Sequence, residues 1–364
     1  MVRHYLLFFL LLSGLLLFKS AGVTGPSAAL ASAADEENKR LIQAPAIGKS
    51  IFFDKNLSEP VGVSCATCHN PQHAFADSRA VSPGAVQANL GQRNAPSLMY
   101  AALIRPITLE SRVTAQGELI MAPEGGLFHD GRARDLLEQV QSPLFHKQEM
   151  NLPDRATLAQ RMRKADYSPA LREWVGEENW NNDEKLNQFA FRALVEFLRE
   201  PLFRPFDARI DDFLAGDENA LTVVEKRGLE VFRNAGKCAD CHLLEADQWS
   251  KPLLSDFGYD NLGVPSREKP DPGLGGISKK EVEIGQFRAP TLRIFPIFLD
   301  PLGNLFLKLI EVFPISILGS RRGQCVPFFL CYIGTHGVIM REIRHCAADT
   351  TATGVSLWNE TAEA

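Results

Sequence analysis

The sequence reads Cys65-Ala66-Thr67-Cys68-His69 and, about one domain length later, Cys238-Ala239-Asp240-Cys241-His242. Both stretches have the pattern C-x-x-C-H, which is typical of c-type haem attachment. Two thiols add to the vinyl groups of haem, and the histidine that follows them ligates the iron. A chain of this composition would match the pattern by chance only about 0.003 times. The sequence therefore predicts two covalently bound haem c groups.

The two copies of the motif assign the attachment residues directly. Those expected to hold the haems and ligate their irons are Cys65, Cys68 and His69 for the first haem and Cys238, Cys241 and His242 for the second. A thioredoxin-like redox pair would not need a histidine after the second cysteine in both copies. A zinc site that gathers the four thiolates remains the alternative.

Length and composition are those of a globular protein with one large or two ordinary domains. The chain has 364 residues, of which 45% are hydrophobic and 23% charged, and a net charge of −5. This mild negative charge gives no reason to expect nucleic-acid binding, which needs a basic surface. Since the motifs are a domain length apart, we expect an N-terminal haem domain at 34–205, a C-terminal haem domain at 206–293 and a tail at 294–364.

The N-terminus has the features of a secretory signal peptide. Arg3 and His4 precede an apolar run over 5–18, and small residues follow up to Ala33. The alternative is a retained membrane anchor, although the run is short compared with the roughly 20 residues that a span requires. We therefore predict that residues 1–33 are removed on export to the periplasm.

Helical patterns dominate the rest of the chain. Asp130 and Asp154 are predicted N-caps of two helices, of which the first runs over 132–141. The clearest helix covers 183–199 and stops before Pro201. Its apolar face consists of Leu186, Phe189, Ala193, Leu194, Phe197 and Leu198. The predicted fold is mainly α, with two cytochrome c-like haem domains in tandem and few or no strands.

An ordered series of short motifs resembles the di-haem cytochrome c peroxidase family, which includes the MauG-type enzymes. The resemblance covers about residues 45–293. Its landmarks are G-K-S-I-F-F-D at 48–54, F-A-D at 75–77, R-N-A-P-S at 93–97, F-H-D-G-R-A at 128–133, E-M at 149–150, N-L-G-V at 261–264 and F-R-A-P-T-L-R at 287–293. The resemblance implies that the first haem reacts with peroxide and that the second passes electrons to it.

The same resemblance implies two further site residues. Glu149 matches the acidic residue over the peroxide site, which moves a proton as a general acid–base. The alternative is a solvent-exposed glutamate, as most glutamates are. Asn94 matches a position that helps to bind a calcium ion, and its alternative is a turn asparagine close before Pro96.

Two positions near the predicted site depart from the family pattern. Ala85 stands near the place where typical members carry a distal histidine, which predicts a MauG-type open iron. His73 is only four residues beyond His69 and is expected at the haem edge or surface. His129 occupies a position between the haems where many relatives have tryptophan. It is either an electron relay or a packing histidine.

The tail at 294–364 lacks family landmarks, and we interpret it as out of frame or rearranged relative to its relatives. It holds the remaining cysteines, Cys325, Cys331 and Cys346. The donors that it offers as an axial ligand to the second haem are Met340, His336 and His345. The sequence does not select one of them.

The leading functional hypothesis is a periplasmic oxidoreductase that reduces hydrogen peroxide with electrons from a small cytochrome c or cupredoxin. One alternative is MauG-like oxidation of another substrate by a high-valent iron state. Others are a non-enzymatic di-haem electron-transfer protein and an inactive relative. The resemblance also implies a homodimer.

Overall fold

The computed structural model describes residues 42–113, 117–245, 251–263 and 270–293, together with the backbone of two strands in 326–345. The helices in chain order are α1 (42–53), α2 (Cys65–Cys68), α3 (Leu136–Gln139), α4 (Ser142–Phe145), α5 (Arg155–Arg163), α6 (Ser168–Val175), α7 (Glu177–Trp180), α8 (Asp183–Leu198), α9 (Arg209–Leu214), α10 (Val223–Arg233) and α11 (Gly275–Ser278). Short 3₁₀ turns occur at Pro71–His73, Ala101–Leu103, Pro201–Phe203, Cys238–Asp240 and Glu281–Glu283.

The strands form three antiparallel pairs. They are β1 (Thr108–Val113) with β2 (Leu119–Glu124), β3 (Tyr259–Asp260) with β4 (Phe287–Arg288), and β5 (Val326–Gly334) with β6 (Gly337–His345). The prediction of a mainly α chain with few strands is confirmed. Within the described residues, no helix combines the length and hydropathy that a membrane span needs.

Helix α8 supplies the centre of the main core. It begins at Asp183 because the Asn182 side chain accepts a hydrogen bond from the Lys185 amide at 3.1 Å. It ends at Leu198, close before Pro201, as predicted. Its predicted apolar face is buried, with only Phe189 partly exposed.

Aromatic rings join this helix to the segment that follows the first C-x-x-C-H motif. Phe197 packs against Phe52 and Phe203, with ring centroids 5.4 and 5.1 Å apart. Phe75 packs against Phe203 at 4.4 Å. Each such pair contributes about 0.5–1.5 kcal/mol beyond the burial of its apolar area. The cluster therefore fixes the backbone around Phe75, six residues after His69.

A smaller apolar cluster surrounds the second motif. It is built from the buried leucines Leu221, Leu229, Leu244 and Leu254, with Ile210, Phe213, Phe232 and Leu292 packed against them. All of its members come from the predicted C-terminal domain. The boundary near residue 205 falls between α8 and α9 and remains a prediction.

One predicted helix start is correct and the other is wrong. Asp154 caps α5 by accepting a hydrogen bond from the Thr157 amide at 2.7 Å. Helix α3, however, begins at Leu136 and its N-cap is Asp135. Asp130 instead accepts hydrogen bonds from two arginine side chains. The chain turns after it at Gly131, whose φ of 71° is not helical.

The β1–β2 hairpin is a feature that the helical reading did not anticipate. One of its faces carries the exposed apolar side chains Leu109, Val113, Leu119 and Met121. On the opposite face, Arg112 forms an ion pair with Asp260 at 3.0 Å. That contact ties the hairpin to the neighbourhood of the second motif.

Several sequence predictions concern parts of the chain beyond the described residues. The predicted signal peptide at 1–33 and most of the 294–364 tail belong to this group, as do Cys325, Cys346 and His336. In the β5–β6 pair, the backbones of Cys331 and Met340 are register partners, and His345 ends β6. Their side chains lie outside the described residues, so no axial ligand of the second haem follows from them.

Candidate functional site

The first motif forms a single helical turn that brings its three functional residues together. Helix α2 begins after Ser64, whose amide donates to the Thr67 hydroxyl at 3.0 Å. The His69 amide donates to the Cys65 carbonyl at 2.9 Å and closes the turn. Cys65 and Cys68, three residues apart, therefore lie on one side of the turn with His69 directly after them.

The His69 ring is held by the backbone that follows it. Its Nδ1 lies 2.9 Å from the Phe75 carbonyl oxygen, and the Pro96 carbonyl is also near the ring. Ala74 and Phe75 have φ values of 51° and 57°, which turn the chain back towards the histidine. With Nδ1–H donating to a carbonyl, Nε2 is the nitrogen left to ligate iron. Burial lowers the pKa of His69, which favours the neutral, metal-binding imidazole.

The second motif repeats this arrangement on a different local structure. A 3₁₀ turn at Cys238–Asp240 replaces the α-helical turn, and the His242 amide donates to the Cys238 carbonyl at 2.9 Å. The Nδ1 of His242 lies 2.9 Å from the Leu254 carbonyl oxygen. Burial lowers the pKa of His242 as well. Both histidines are thus oriented by a backbone carbonyl, which suits an axial ligand of haem iron.

The cysteines do not fit the alternative of a shared zinc site. In the described residues, the one group of potential metal ligands is Cys241 with Asp256 and Asp260, which contains a single cysteine. Burial raises the pKa of the Cys65 thiol to about 12. The donor set at both motifs fits covalent haem instead.

A cavity of about 540 Å³ opens beside the second motif. Its walls include Cys241 and Asp256 on one side and the polar face of the β1–β2 hairpin on the other, where Arg112 and Glu124 lie. The hairpin that the sequence pattern missed is therefore a wall of this site.

Glu149 lies on the side of the first motif. It follows α4, its carboxylate Oε1 lies 3.5 Å from Nδ1 of His146, and the side chain is 34% exposed. Burial raises its pKa, although the nearby positive charge of His146 and Arg132 opposes the rise. The charge of this carboxylate also acts on Cys65 and Cys68. A freely solvated surface glutamate would show neither feature.

The segment that carries Ala85 is fastened to Glu149. The Ala85 amide donates to the Glu149 carbonyl oxygen at 2.7 Å. Gly84 lies so close to Gln148 that an added Cβ would meet the Gln148 carbonyl oxygen within 2.4 Å. The structure therefore brings together the two positions that the sequence linked to the peroxide site.

His129 and Asn94 are neighbours, joined by a contact of 3.3 Å between His129 Nε2 and the Asn94 carbonyl oxygen. Burial lowers the pKa of His129 to about 4, with smaller contributions from the cations Arg288 and Arg93. His129 is consequently a neutral imidazole near neutral pH. Asn94 uses its backbone here, and its role in calcium binding remains a prediction.

His73 is half-buried on the turn between His69 and Phe75. Its Nδ1 is buried and has no hydrogen-bond partner in the part of the chain that the structure describes. His73 is thus neither fully exposed nor fully buried, and its place at the haem edge or surface stays a prediction.

An arginine that sequence reasoning did not single out connects distant parts of the chain. Arg93 donates from Nη1 to Asp130 and from Nε to Asp271, both at 2.7 Å. Arg132 also donates to Asp130, at 2.9 Å. Arg93 and Asp130 belong to family landmarks, but Asp271 comes from a glycine- and proline-rich stretch with no local signal for its partner.

Comparison with known proteins identifies the family and several relatives of this chain. The family described as di-haem cytochrome c peroxidase matches residues 43–219. The chain is 33% identical over 269 residues to the methylamine utilization protein MauG of Paracoccus denitrificans, covering 68% of this chain and 67% of that protein. It is 29% identical over 294 residues to the cytochrome c551 peroxidase of Nitrosomonas europaea, covering 78% and 76%.

Solved structures give the same result. The diheme peroxidase BthA from Burkholderia thailandensis superposes with a TM-score of 0.61 at 32% sequence identity, covering 70% of this chain and 66% of that chain. The chain belongs to the di-haem cytochrome c peroxidase family, a family of haem-containing oxidoreductases. The match spans about two thirds of the length of both MauG of Paracoccus denitrificans and BthA.

Proposed function

We propose that this protein reduces hydrogen peroxide to water at the first haem, with electrons that enter through the second. The reaction consumes two electrons and two protons for each peroxide and releases two waters. When bound, haem supplies the redox chemistry that cleaves the O–O bond. The observation that carries the proposal is the contact between Ala85 and Glu149 on the side of the first motif.

Glu149 supplies the proton transfer. A carboxyl group whose pKa is raised by burial exchanges a proton closer to neutral pH than an ordinary glutamate does. It can accept a proton from one peroxide oxygen and return it to the other, which leaves as water. His146, 3.5 Å from the carboxylate, orients it and is in turn partly exposed to solvent.

His69 would hold the first haem, and the residues near it would leave the iron open to peroxide. The segment from 78 to 92 contains no histidine, and its residue nearest the predicted ligand position is Ala85. A methyl group cannot ligate iron, so the ferric protein is ready to react without prior reduction.

His129 relays electrons between the two haems. Its imidazole is buried and neutral, and its Nε2 contacts the segment that leads to Pro96, beside the His69 ring. Its own carbonyl accepts a hydrogen bond from the Arg288 amide at 2.9 Å, on the side of the second motif. It therefore touches backbone that leads to both motifs.

MauG-type oxidation of another substrate is the second candidate. It is favoured by the 33% identity to MauG of Paracoccus denitrificans and by the alanine at position 85. The same residues would activate peroxide in both cases. The two functions differ in what supplies the electrons, an external redox protein or the substrate to be oxidised.

The remaining parts of the proposal concern the setting of the enzyme. Both haems are attached through thioethers, and Asn94 helps to hold one calcium ion. The protein acts in the periplasm after removal of residues 1–33, as a homodimer. Its electron donor is a small cytochrome c or cupredoxin.

Rapid mixing of the fully ferric, haem-loaded protein with peroxide tests the proposal. We expect a fast change in the haem spectrum that is slowed about 10²–10⁴-fold in Glu149→Gln. Glu177→Gln is the matched control, because Glu177 is an exposed glutamate paired with Arg172. Turnover with a reduced cytochrome as donor then separates peroxide reduction from oxidation of another substrate. A ferric protein that ignores peroxide would refute the open first haem.

A further inference from the structure

Arg288 occupies a central place between the two motifs. In β4, its backbone pairs with Tyr259, and its amide donates to the His129 carbonyl oxygen at 2.9 Å. Its side-chain Nε donates to the Phe128 carbonyl oxygen at 3.3 Å. The guanidinium lies over the ring of Phe257, 5.3 Å from the centroid.

Among the residues that the structure describes, the guanidinium of Arg288 has no anionic partner. Its Nη1 is buried and has no hydrogen-bond partner, and within the described residues it forms no ion pair with a carboxylate. Arginine stays charged even when buried. A buried charge without a partner is strongly unfavourable, so such groups are found paired or bound to a ligand.

The other arginines around these motifs show what Arg288 is missing. Arg93 is paired with Asp130 and Asp271, Arg112 with Asp260, and Arg293 with Asp211. Each of these guanidinium groups donates to at least one carboxylate at 3.0 Å or less. Arg288 is partly buried, with a fully buried Nη1 that has no such partner among the described residues.

The backbone around Arg288 leads to both haem sites. On one side, Ala289 accepts a hydrogen bond from Ser255, which follows the Leu254 carbonyl that holds His242. On the other side, the His129 ring contacts the carbonyl oxygen of Asn94, two residues before Pro96, whose backbone lies near His69 of the first motif. A group bound at either motif is therefore a source of an anion for Nη1. Haem brings two carboxylates of its own, its propionates.

We propose that Arg288 binds a propionate carboxylate of one of the two haems. The pairing would complete the hydrogen bonding of Nη1 and neutralise a charge that the described residues leave unmatched. A guanidinium donating to a carboxylate is among the stronger hydrogen-bonded pairs in proteins. The proposal rests on haem binding at the two motifs, which the proposed function shares, and does not depend on peroxide turnover.

The test is a spectroelectrochemical titration of both haems in the haem-loaded protein. Removing a positive charge beside a haem stabilises the ferric form, so Arg288→Gln should lower the potential of the haem that it contacts. We expect about a tenfold change in that one-electron equilibrium, equivalent to about 59 mV. A lower potential of the first haem identifies a propionate of that haem as the partner of Arg288. A lower potential of the second haem identifies a propionate of the second haem instead.

Two further variants keep the result interpretable. Arg288→Lys retains the charge and should shift the potential much less, while the propionate bands in the resonance Raman spectrum still change. If Arg288→Gln fails to bind haem, changed propionate bands in Arg288→Lys support the proposal, and unchanged bands overturn it. Arg172→Gln, on an exposed arginine, is the control. Potentials and propionate bands equal to those of the control, at full haem content, would overturn the proposal.

The outcomes separate this inference from the proposed function. Wild-type protein with two haems and no reaction with peroxide would refute the proposed function and leave the Arg288 titration fully informative. A normal peroxide reaction with unmoved potentials in Arg288→Gln would refute the propionate contact alone.

Discussion

The buried ion pair between Arg293 and Asp211 offers a sharp test of how the second motif is held. Both side chains are almost completely buried, with exposed fractions of 2% and 1%. Nη1 and Nη2 of Arg293 donate to the two carboxylate oxygens of Asp211 at 3.0 and 2.8 Å. The guanidinium also lies over the ring of Phe206, 4.3 Å from its centroid. Arg293 cannot reach water if its partner is lost.

The size of the effect follows from this geometry. Breaking a buried pair by removing one partner costs about 3–5 kcal/mol, because the other charge is left buried and uncompensated. Asp211→Asn keeps one oxygen acceptor in place, so we expect a loss near 3 kcal/mol in the free energy of unfolding. Asp211→Ala removes both acceptors and should approach 5 kcal/mol.

Urea unfolding of the haem-loaded protein, followed by the spectrum of the second haem, measures these differences. Asp212→Asn is the matched control, since Asp212 is the next residue of α9 and its side chain is exposed. We expect this variant to stay within about 0.5 kcal/mol of the wild type. Equal midpoints for Asp211→Asn and Asp212→Asn would refute the view that this pair anchors the second motif.

Three other predictions concern the first haem and its connection to the second. Ala85→His should supply the missing iron ligand. We expect the spectrum of the ferric first haem to become that of a six-coordinate iron, and the haem no longer to react with peroxide. An unchanged ferric spectrum would show that position 85 does not face the iron. Burial raises the pKa of Glu149, so the folded protein binds a proton at this carboxyl more tightly than the unfolded chain does. The stabilisation that results is present at low pH and is lost as the pH rises through the raised pKa. Glu149→Gln should therefore gain stability over the wild type in urea unfolding as the pH rises through the raised pKa of Glu149, and a difference that stays constant with pH would contradict the raised pKa. His129→Ala should slow electron transfer between the haems in flash or rapid-mixing experiments by at least about tenfold, a rate change equivalent to about 1.4 kcal/mol in barrier, with haem content unchanged.

The parts of the structure that the sequence predicted are those where chemistry or local geometry prescribes the residue. Thioether formation demands two cysteines and iron ligation demands a histidine, all at fixed spacing, so the haem motifs were evident. The start of α5 could be predicted because an N-cap aspartate acts within three residues of itself. Asp130 shows the limit of this reasoning. In the sequence, an aspartate before a helical pattern looks the same whether its side chain caps a helix or, as Asp130 does, accepts a hydrogen bond from Arg93.

The parts that could not be predicted depend on partners far apart in the chain or on groups that every residue has. The carbonyls of Phe75 and Leu254 orient the two ligand histidines, yet any residue could supply a carbonyl there. Asp271 meets Arg93 across 178 positions, with no local pattern to announce the contact. The β1–β2 hairpin was missed because its strands do not alternate strictly: Ser111 interrupts the apolar face of β1, and β2 opens with an apolar run at 119–122.

The distribution of these long-range contacts has a consequence for the second haem site. Its own apolar cluster consists of a few leucines and their neighbours. Much of what encloses it comes from earlier in the chain. Arg112 pairs with Asp260, Arg93 pairs with Asp271, and the Gly125 carbonyl accepts from the buried Tyr259 hydroxyl at 2.8 Å. Each contact lies at or beside β3 or the loop that leads to β4.

Residues 93–130 therefore serve both motifs, because the same segment lies beside His69 through Pro96 and beside β4 through His129. A segment that contacts the surroundings of both motifs links the positions of the two redox centres. Two arginines of this segment pair with carboxylates from the C-terminal half, Arg93 with Asp271 and Arg112 with Asp260, and these contacts stabilise its position only while both halves are folded. The spacing of the motifs suggests one domain for each haem, but the ion pairs make the environment of the second haem depend on residues that precede it by more than a hundred positions.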